Sequence, residues 1–371
     1  MQKTIIKNAH VISPDVDIEN ATIVIEGKKI KTVTAKKVSE KGAATVVDVK
    51  GQYVMPGFID VHTHGALTYD FCDADEQAVF KLAEAKLQEG VTSFLPTTLT
   101  VSTEELKVAA KNARKYADAG MPYSKIPGIH LEGPFINVKC CGAQNPAFVR
   151  KPAISEVKEI SKIYPVKMIS YAPETEGGAK FAKDCIKAGI VPSCGHTGAK
   201  LKEFMPAYKN GLRHLTHFCN QMTPLHHREI GMVGAGFLIE DLNTEVIADK
   251  IHLCPDMLRL VFTRRNLAHV QIITDSLRCS HCKDGYAFEM GGLKVQLKGG
   301  EARLVEGGFL TPILVGDVET VKANAAKGGF NIEGVEILDP ATYEGMDAMV
   351  EKMVELRKGK MSAEDCRKAL S

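Results

Sequence analysis

No block of like charge stands out in this chain, where 47 Lys and Arg face 45 Asp and Glu for a formal net charge of +2. A nucleic-acid partner is therefore not expected, because a phosphate backbone attracts basic patches or arginine-rich arms. Long hydrophobic runs are missing too, and nothing approaches the roughly 20 apolar residues needed to cross a bilayer. The opening MQKTIIKNAHVISPD alternates like an edge strand and has no signal-peptide apolar core. No membrane is expected as partner, and a cytoplasmic location fits both absences. The ten cysteines form no spaced framework; Cys72, Cys185, Cys254 and Cys366 are far apart, and several cysteines sit in apolar runs. Reduced thiols in a reducing compartment follow. Cys279-Ser-His-Cys282 resembles half a zinc site, but no second CxxC completes it, so the two thiols read as incidental.

What is present is length and apolar content: 371 residues, 44% hydrophobic, enough for one large domain and a smaller one. Residues 1–50 give short alternating runs broken by Gly27 and Gly51, which predict a small antiparallel β unit. From Tyr53 the pattern changes to apolar strands alternating with helices. Strands are expected at Val54 to Val61, Val91 to Pro96, Ile126 to Leu131, Val166 to Tyr171, Ile190 to Cys194, Leu212 to Phe218, Glu245 to Ile247 and Val270 to Thr274. Helices are expected near Glu76 to Glu89 and Thr103 to Ala119. Strand-then-helix repetition predicts an α/β fold, a parallel (β/α)₈ TIM-like barrel with a small N-terminal β domain.

In such a barrel the chemistry gathers at the C-terminal ends of the strands. His62 and His64 end the first strand, Glu132 ends a later one, His196 and His217 follow two more, and Asp275 ends the last. The His-x-His of His62 and His64 puts two imidazoles on one side of an extended segment, able to grip one metal. A surface His-x-His is equally common, but the apolar strand leading into this one sets it at the barrel mouth. Glu132 closes His130-Leu131-Glu132-Gly133-Pro134 and reads as a ligand or as a turn cap. His196, among small residues in Cys194-Gly195-His196-Thr197-Gly198, reads as a ligand or a loop histidine. His214 and His217 cannot share a strand face; His214, the earlier, is expected to be structural. Asp275 follows the apolar Gln271 to Thr274 and is either paired with a buried cation or catalytic. With a divalent metal lowering the pKa of water to about 7, Asp275 would take the water's proton and pass it to a leaving amine.

The strings PGFIDVHTHG, HLEGPFIN, GAQNP, CGHTGA, THFCNQMTPLHHREIGMVGA and IITDS, in that order, resemble the N-acetylglucosamine-6-phosphate deacetylases of the amidohydrolase superfamily, as far as about Glu306. The resemblance implies an enzyme hydrolysing N-acetyl-D-glucosamine 6-phosphate to D-glucosamine 6-phosphate and acetate. It implies that Glu132, His196 and His217 hold the principal metal, with Asp275 as general acid/base. Members with two histidines at the first strand bind two ions, so His62 and His64 imply the two-metal kind, zinc or iron. Gln144 stands where some relatives carry a histidine that polarises the acetamide carbonyl, and its N–H can donate to that oxygen. Asn220, Gln221, Arg228 and His252 are implied to bind the sugar phosphate. The arginine reaches across from a second subunit in relatives, which implies a homodimer; His226-His227-Arg228 on its own also reads as a solvated basic turn.

Beyond Glu306 that pattern stops. Gly308 to Asp317, Gly334 to Pro340 and a helical Met346 to Gly359 resemble an early part of a phosphate acetyltransferase, outside its substrate-binding parts. Three segments are thus expected: an incomplete β unit over 1–52 that lacks its returning partner strands, a metal-dependent barrel over 53–306, and an unrelated α/β tail over 307–371. Two reading frames joined near Val305 to Gly308 account for the change. An exposed apolar flank over Leu277 to Phe309 is expected where the last barrel helix is lost, unless the tail covers it. Two other readings compete with the deacetylase. A dihydroorotase or dipeptidase would often carry a carboxylated lysine bridging its metals, a position Glu132 takes here. A folded but inactive chimera would bind metal without releasing acetate.

Overall fold

The computed structural model describes residues 3–14 and 16–305, so the expected tail over 307–371, with its helix at Met346 to Gly359, lies outside the described residues. The chain divides into two compact units, with the boundary after Phe58. In the first, Lys3–Ser13 pairs antiparallel with Val16–Glu26, which pairs antiparallel with Lys29–Thr34. Alternation buries Ala9, Val11, Ala21 and Ile23 as its core. The expectation of an antiparallel unit needs correcting, because Thr45–Asp48 and Tyr53–Val54 both join Lys3–Ser13 in parallel. A strand returning after a loop of this length is free to add in either direction, and alternation alone does not distinguish them. Thr45–Asp48 has no second neighbouring strand among the described residues, and Val46 and Val47 on it are exposed.

The second unit is built on eight strands: β1 (Phe58–Thr63), β2 (Val91–Thr98), β3 (Ile129–Glu132), β4 (Val166–Tyr171), β5 (Val191–Cys194), β6 (His214–Leu215), β7 (Asn243–Ile247) and β8 (Val270–Ile273). They neighbour one another in chain order, and the registers from β2 to β8 are parallel throughout. The ends of β8 and β1 are joined by Asp275 N–H to His62 O at 2.9 Å and by His64 and Gly65 N–H to Ser276 O at 2.8 and 3.0 Å. This closes the ring, the arrangement that strand-then-helix repetition requires.

Helices α1 (Ala78–Gln88), α2 (Thr103–Asp118), α3 (Ile154–Ile163), α4 (Gly178–Lys187), α5 (Leu201–Lys209), α6 (Gly231–Leu238) and α7 (Pro255–Arg264) fill the connections. Helix α2 shows why they form where they do. Ser102 and Glu105 make a reciprocal capping box at its start, and Leu106, Ala109, Ala110, Ala113 and Tyr116 recur at helical spacing on its buried side. After β8 no helix follows among the described residues. An antiparallel sheet of Ala287–Met290, Leu293–Lys298 and Glu301–Leu304 stands there instead. Of the apolar side chains of this stretch, Leu277, Phe288, Met290, Val295 and Leu297 are buried and Val305 is exposed, while the rest of the expected flank and the tail that would cover it lie outside the described residues. Exposure also falls on β1 and β8, at Ile59 (67%) and Ile272 (47%).

Candidate metal centre and active site

Three residues that leave the strand ends have a backbone few side chains adopt. His196, His217 and Asp275 have φ of 47°, 29° and 48°. The left-handed turn ends the strand and swings the side chain over the barrel mouth, at a cost of about 1–3 kcal/mol each that the surrounding fold must offset. It also explains why β6 stops at Leu215, short of the expected Phe218. Gly195, just before His196, has no room for a side chain: a Cβ there would stand 2.7 Å from Thr216 Cβ.

The turned side chains meet. His196 Nε2 and His217 Nε2 lie 3.1 and 3.0 Å from the same oxygen, Glu132 Oε1, and 3.1 Å from each other. His62 Nε2 and His64 Nε2 are 3.3 Å apart, with Glu132 Oε1 3.3 Å from the first and Oε2 3.3 Å from the second. Asp275 Oδ1 is 3.3 Å from His62 Nε2 and 3.2 Å from His64 Nε2. All six side chains are buried. Glu132 thus joins two three-residue groups, His62-His64-Glu132 and Glu132-His196-His217.

The donor set fits divalent cations. An ion about 2.1 Å from each of three tetrahedral ligands holds them about 3.4 Å apart, close to the spacings found here. Three of the four rings are also oriented as metal-binding imidazoles are, with Nδ1 engaged and Nε2 turned inward, whereas His217 Nδ1 is buried without a hydrogen-bond partner. His64 Nδ1 donates to Thr97 O (3.1 Å), His196 Nδ1 to Cys140 O (2.9 Å) and His62 Nδ1 to Glu245 Oε2 (2.9 Å). Electrostatics agree. Burial alone would lower the imidazoles, but Asp275 and Glu132 outweigh it, raising His64 to about 9 and His62 well above its ordinary value. Burial would raise the carboxyls, but His62 and His64 hold Asp275 at about 2, and His196 and His62 hold Glu132 well below the usual range. Strong anions buried together in this way create a site for positive charge.

The cluster forms the floor of a cavity of about 390 Å³, within the size range of small-molecule sites. Gln144, Asn220, Gln221 and His252 line its walls with Leu99, Ile251, Leu277, Met290 and Arg303. Gln144 accepts from Thr100 N–H at 2.6 Å and donates from Nε2 to Glu132 Oε2. His252 Nδ1 donates to Asp249 Oδ2 at 2.5 Å, and its buried Nε2 has no partner. Asn220 Nδ2 donates to His217 O at 3.2 Å. Arg228 does not line this cavity; it is exposed on the turn 224–229. His214 is held on both nitrogens by the barrel interior, at Ser193 Oγ and Gln271 Oε1, 2.9 Å each.

Sequence reasoning missed Glu245. It is fully buried in β7 and accepts from both the His62 ring and the His217 backbone N–H, the latter at 3.1 Å. Burial would raise its carboxyl, but His62 and His214 hold it at about 2. The available signal was a carboxylate inside an apolar strand, a rare thing without a partner. Asp249, which orients His252, was passed over in the same way.

Residues 53–285 match the amidohydrolase family profile, and residues 297–371 match that of the phosphate acetyl/butaryl transferases. The second match supports a change of family near the chain's end. The N-acetylglucosamine-6-phosphate deacetylase of Bacillus subtilis strain 168 is 31% identical over 318 residues, 84% of this chain and 80% of that protein. An N-acetylgalactosamine-6-phosphate deacetylase of Escherichia coli O157:H7 is 30% identical, over 82% of each. The solved N-acetylglucosamine-6-phosphate deacetylase of Thermotoga maritima superposes with a TM-score of 0.75 at 34% identity, over 88% of this chain and 85% of that one. On fold, site geometry and these matches together, the chain belongs to the amidohydrolase family and, within it, to the N-acetylglucosamine-6-phosphate deacetylases.

Proposed function

We propose that this chain hydrolyses the acetamide of N-acetyl-D-glucosamine 6-phosphate to D-glucosamine 6-phosphate and acetate. The observation that carries the reading is the convergence of Glu132, His196, His217 and Asp275 on the floor of a single cavity. Glu132, His196 and His217 are the proposed ligands of one divalent ion, and His62 and His64, sharing Glu132, those of a second. Zinc and iron both suit imidazole and carboxylate donors. When bound, such an ion supplies water acidic enough to attack at neutral pH.

The chain's own groups do the rest. Asp275, ionised and beside the cluster, accepts the proton of the attacking water as the C–O bond forms. It returns that proton to the sugar nitrogen as the C–N bond breaks, so that the neutral amine leaves with acetic acid, whose remaining proton then passes to the more basic amine to give acetate and the ammonium form. Gln144 has a second amide hydrogen with which to donate to the acetamide oxygen, where negative charge develops. Asn220, Gln221 and His252 hold the sugar phosphate. Arg228, exposed on its turn, reaches the phosphate bound by a second copy of the chain, which makes the working form a homodimer. No helix among the described residues is long and apolar enough to cross a membrane, in keeping with a cytoplasmic enzyme.

The test is acetate release from N-acetylglucosamine 6-phosphate by the purified full chain and by Asp275→Asn. The variant is expected to keep its metal and lose about 10²–10⁴-fold in kcat, the scale of general acid–base catalysis. Normal turnover in the variant would show the proton-shuttle role to be wrong. Full metal occupancy in a wild-type chain that releases no acetate would support the inactive chimera.

A further inference from the structure

The geometry points to Arg303 as the residue that selects a phosphorylated substrate from within a single chain. This rests on the proposed sugar-phosphate substrate. The cavity's floor carries two carboxylates, Glu132 and Asp275, and its walls carry the amides and imidazole of Gln144, Asn220, Gln221 and His252. Among the described residues that line it, Arg303 alone has a permanent positive charge, and none of them is a lysine. A phosphate dianion entering this cavity needs a cation away from the acidic floor, and Arg303 is the one they supply.

Its position is built. Arg303 lies on the strand Glu301–Leu304, opposite Gln296 of Leu293–Lys298. Val295, Leu297 and Ala302 seat that sheet through a buried face. The sheet is tied to the loop carrying Gln144 by Asn145 Nδ2 donating to Gly291 O at 2.7 Å. Met290 and Leu277 line the same cavity, so apolar side chains and one guanidinium share its lining. The guanidinium pairs with Glu301, Nε to Oε2 at 2.8 Å, and the arginine side chain is 46% exposed. A half-exposed pair two residues apart on one strand is weakly held, whereas a phosphate offers two oxygens to the planar fork. A phosphate in the cavity competes for the guanidinium with its existing contacts, Glu301 among them.

The test uses the full, metal-loaded chain, with Arg303→Ala, Arg303→Lys and Glu301→Gln made alongside. Kinetics on N-acetylglucosamine 6-phosphate and on unphosphorylated N-acetylglucosamine give the preference for phosphate, and calorimetry gives the affinity for inorganic phosphate. Arg303→Ala is expected to cut that preference by about 10- to 100-fold, mostly through KM, the scale of one charge-assisted hydrogen bond. Phosphate affinity should fall in parallel, Arg303→Lys should recover part of both, and Glu301→Gln should preserve or strengthen both. Unchanged preference and phosphate affinity in Arg303→Ala, or an equal loss on both sugars, would overturn the assignment. Calorimetry decides the role of Arg303 even if the wild type releases no acetate, an outcome that by itself counts against the proposed function.

Discussion

Two buried carboxylates orient two rings in this barrel: Glu245 holds Nδ1 of His62 and Asp249 holds Nδ1 of His252. In His62 the other nitrogen is left to face the His64-Glu132-Asp275 cluster, while His252 lines the cavity; an acceptor behind an imidazole fixes its tautomer and direction in this way. Glu245→Gln keeps the volume but removes the charge. It should weaken ion binding at the His62-His64-Glu132 group by about 10- to 100-fold while sparing the Glu132-His196-His217 group. Metal stoichiometry across a chelator titration reads this directly, and equal loss at both groups would contradict it. At this scale the sequence was informative where a residue ended a strand. Glu132, His196 and Asp275 each follow an apolar run, and the structure brings them together. Glu245 was opaque because its partner, His62, lies 183 positions away, and one strand says nothing of what faces it across a barrel.

Among the elements, the strands were legible and their ends less so. Val166–Tyr171 begins and ends where the apolar pattern does, because Pro165 and Pro173 bracket it and a proline cannot donate to a ladder. His214–Leu215 is shorter than its pattern because the left-handed backbone at His217 stops the ladder. The three-stranded sheet after β8 was not foreseen: the sequence pattern showed the last barrel helix to be lost and assigned no element in its place. The close approach at Gly195 gives a prediction of its own. Gly195→Ala would drive a Cβ to 2.7 Å from Thr216 Cβ and should destabilise by about 1–3 kcal/mol, as overpacking does. Urea unfolding measures it, and a midpoint equal to that of the wild type would mean that the β5–β6 contact yields freely.

For the whole molecule, the buried cluster links stability to pH and to metal. His64 is raised from 6.5 to about 9 by Asp275 and Glu132 against the opposing effect of burial. Its proton therefore stabilises the metal-free fold fully below pH 6.5, and this contribution is lost as pH rises through about 9. Asp275 works in the opposite sense and loses its contribution only as pH falls toward about 2. Metal-free protein should thus lose thermal stability between pH 6.5 and 9, and metal-loaded protein should lose less, because an ion has replaced the proton. A metal-free melting temperature that climbs across this window would rule the linkage out.

At the same scale, the amidohydrolase barrel was legible from its strand-and-helix rhythm, and so was the change of family toward the C-terminus. The parallel additions to the N-terminal sheet were not, because strand direction is decided by contacts that a local pattern does not encode. The central claim is that Glu132, His196 and His217 share one cation. Anomalous scattering from crystals of the metal-loaded Asp275→Asn chain tests it most directly. The expected result is a peak about 2.1 Å from one atom of each of the three residues. Density from a tightly bound metal elsewhere, with these three side chains bare, would contradict it.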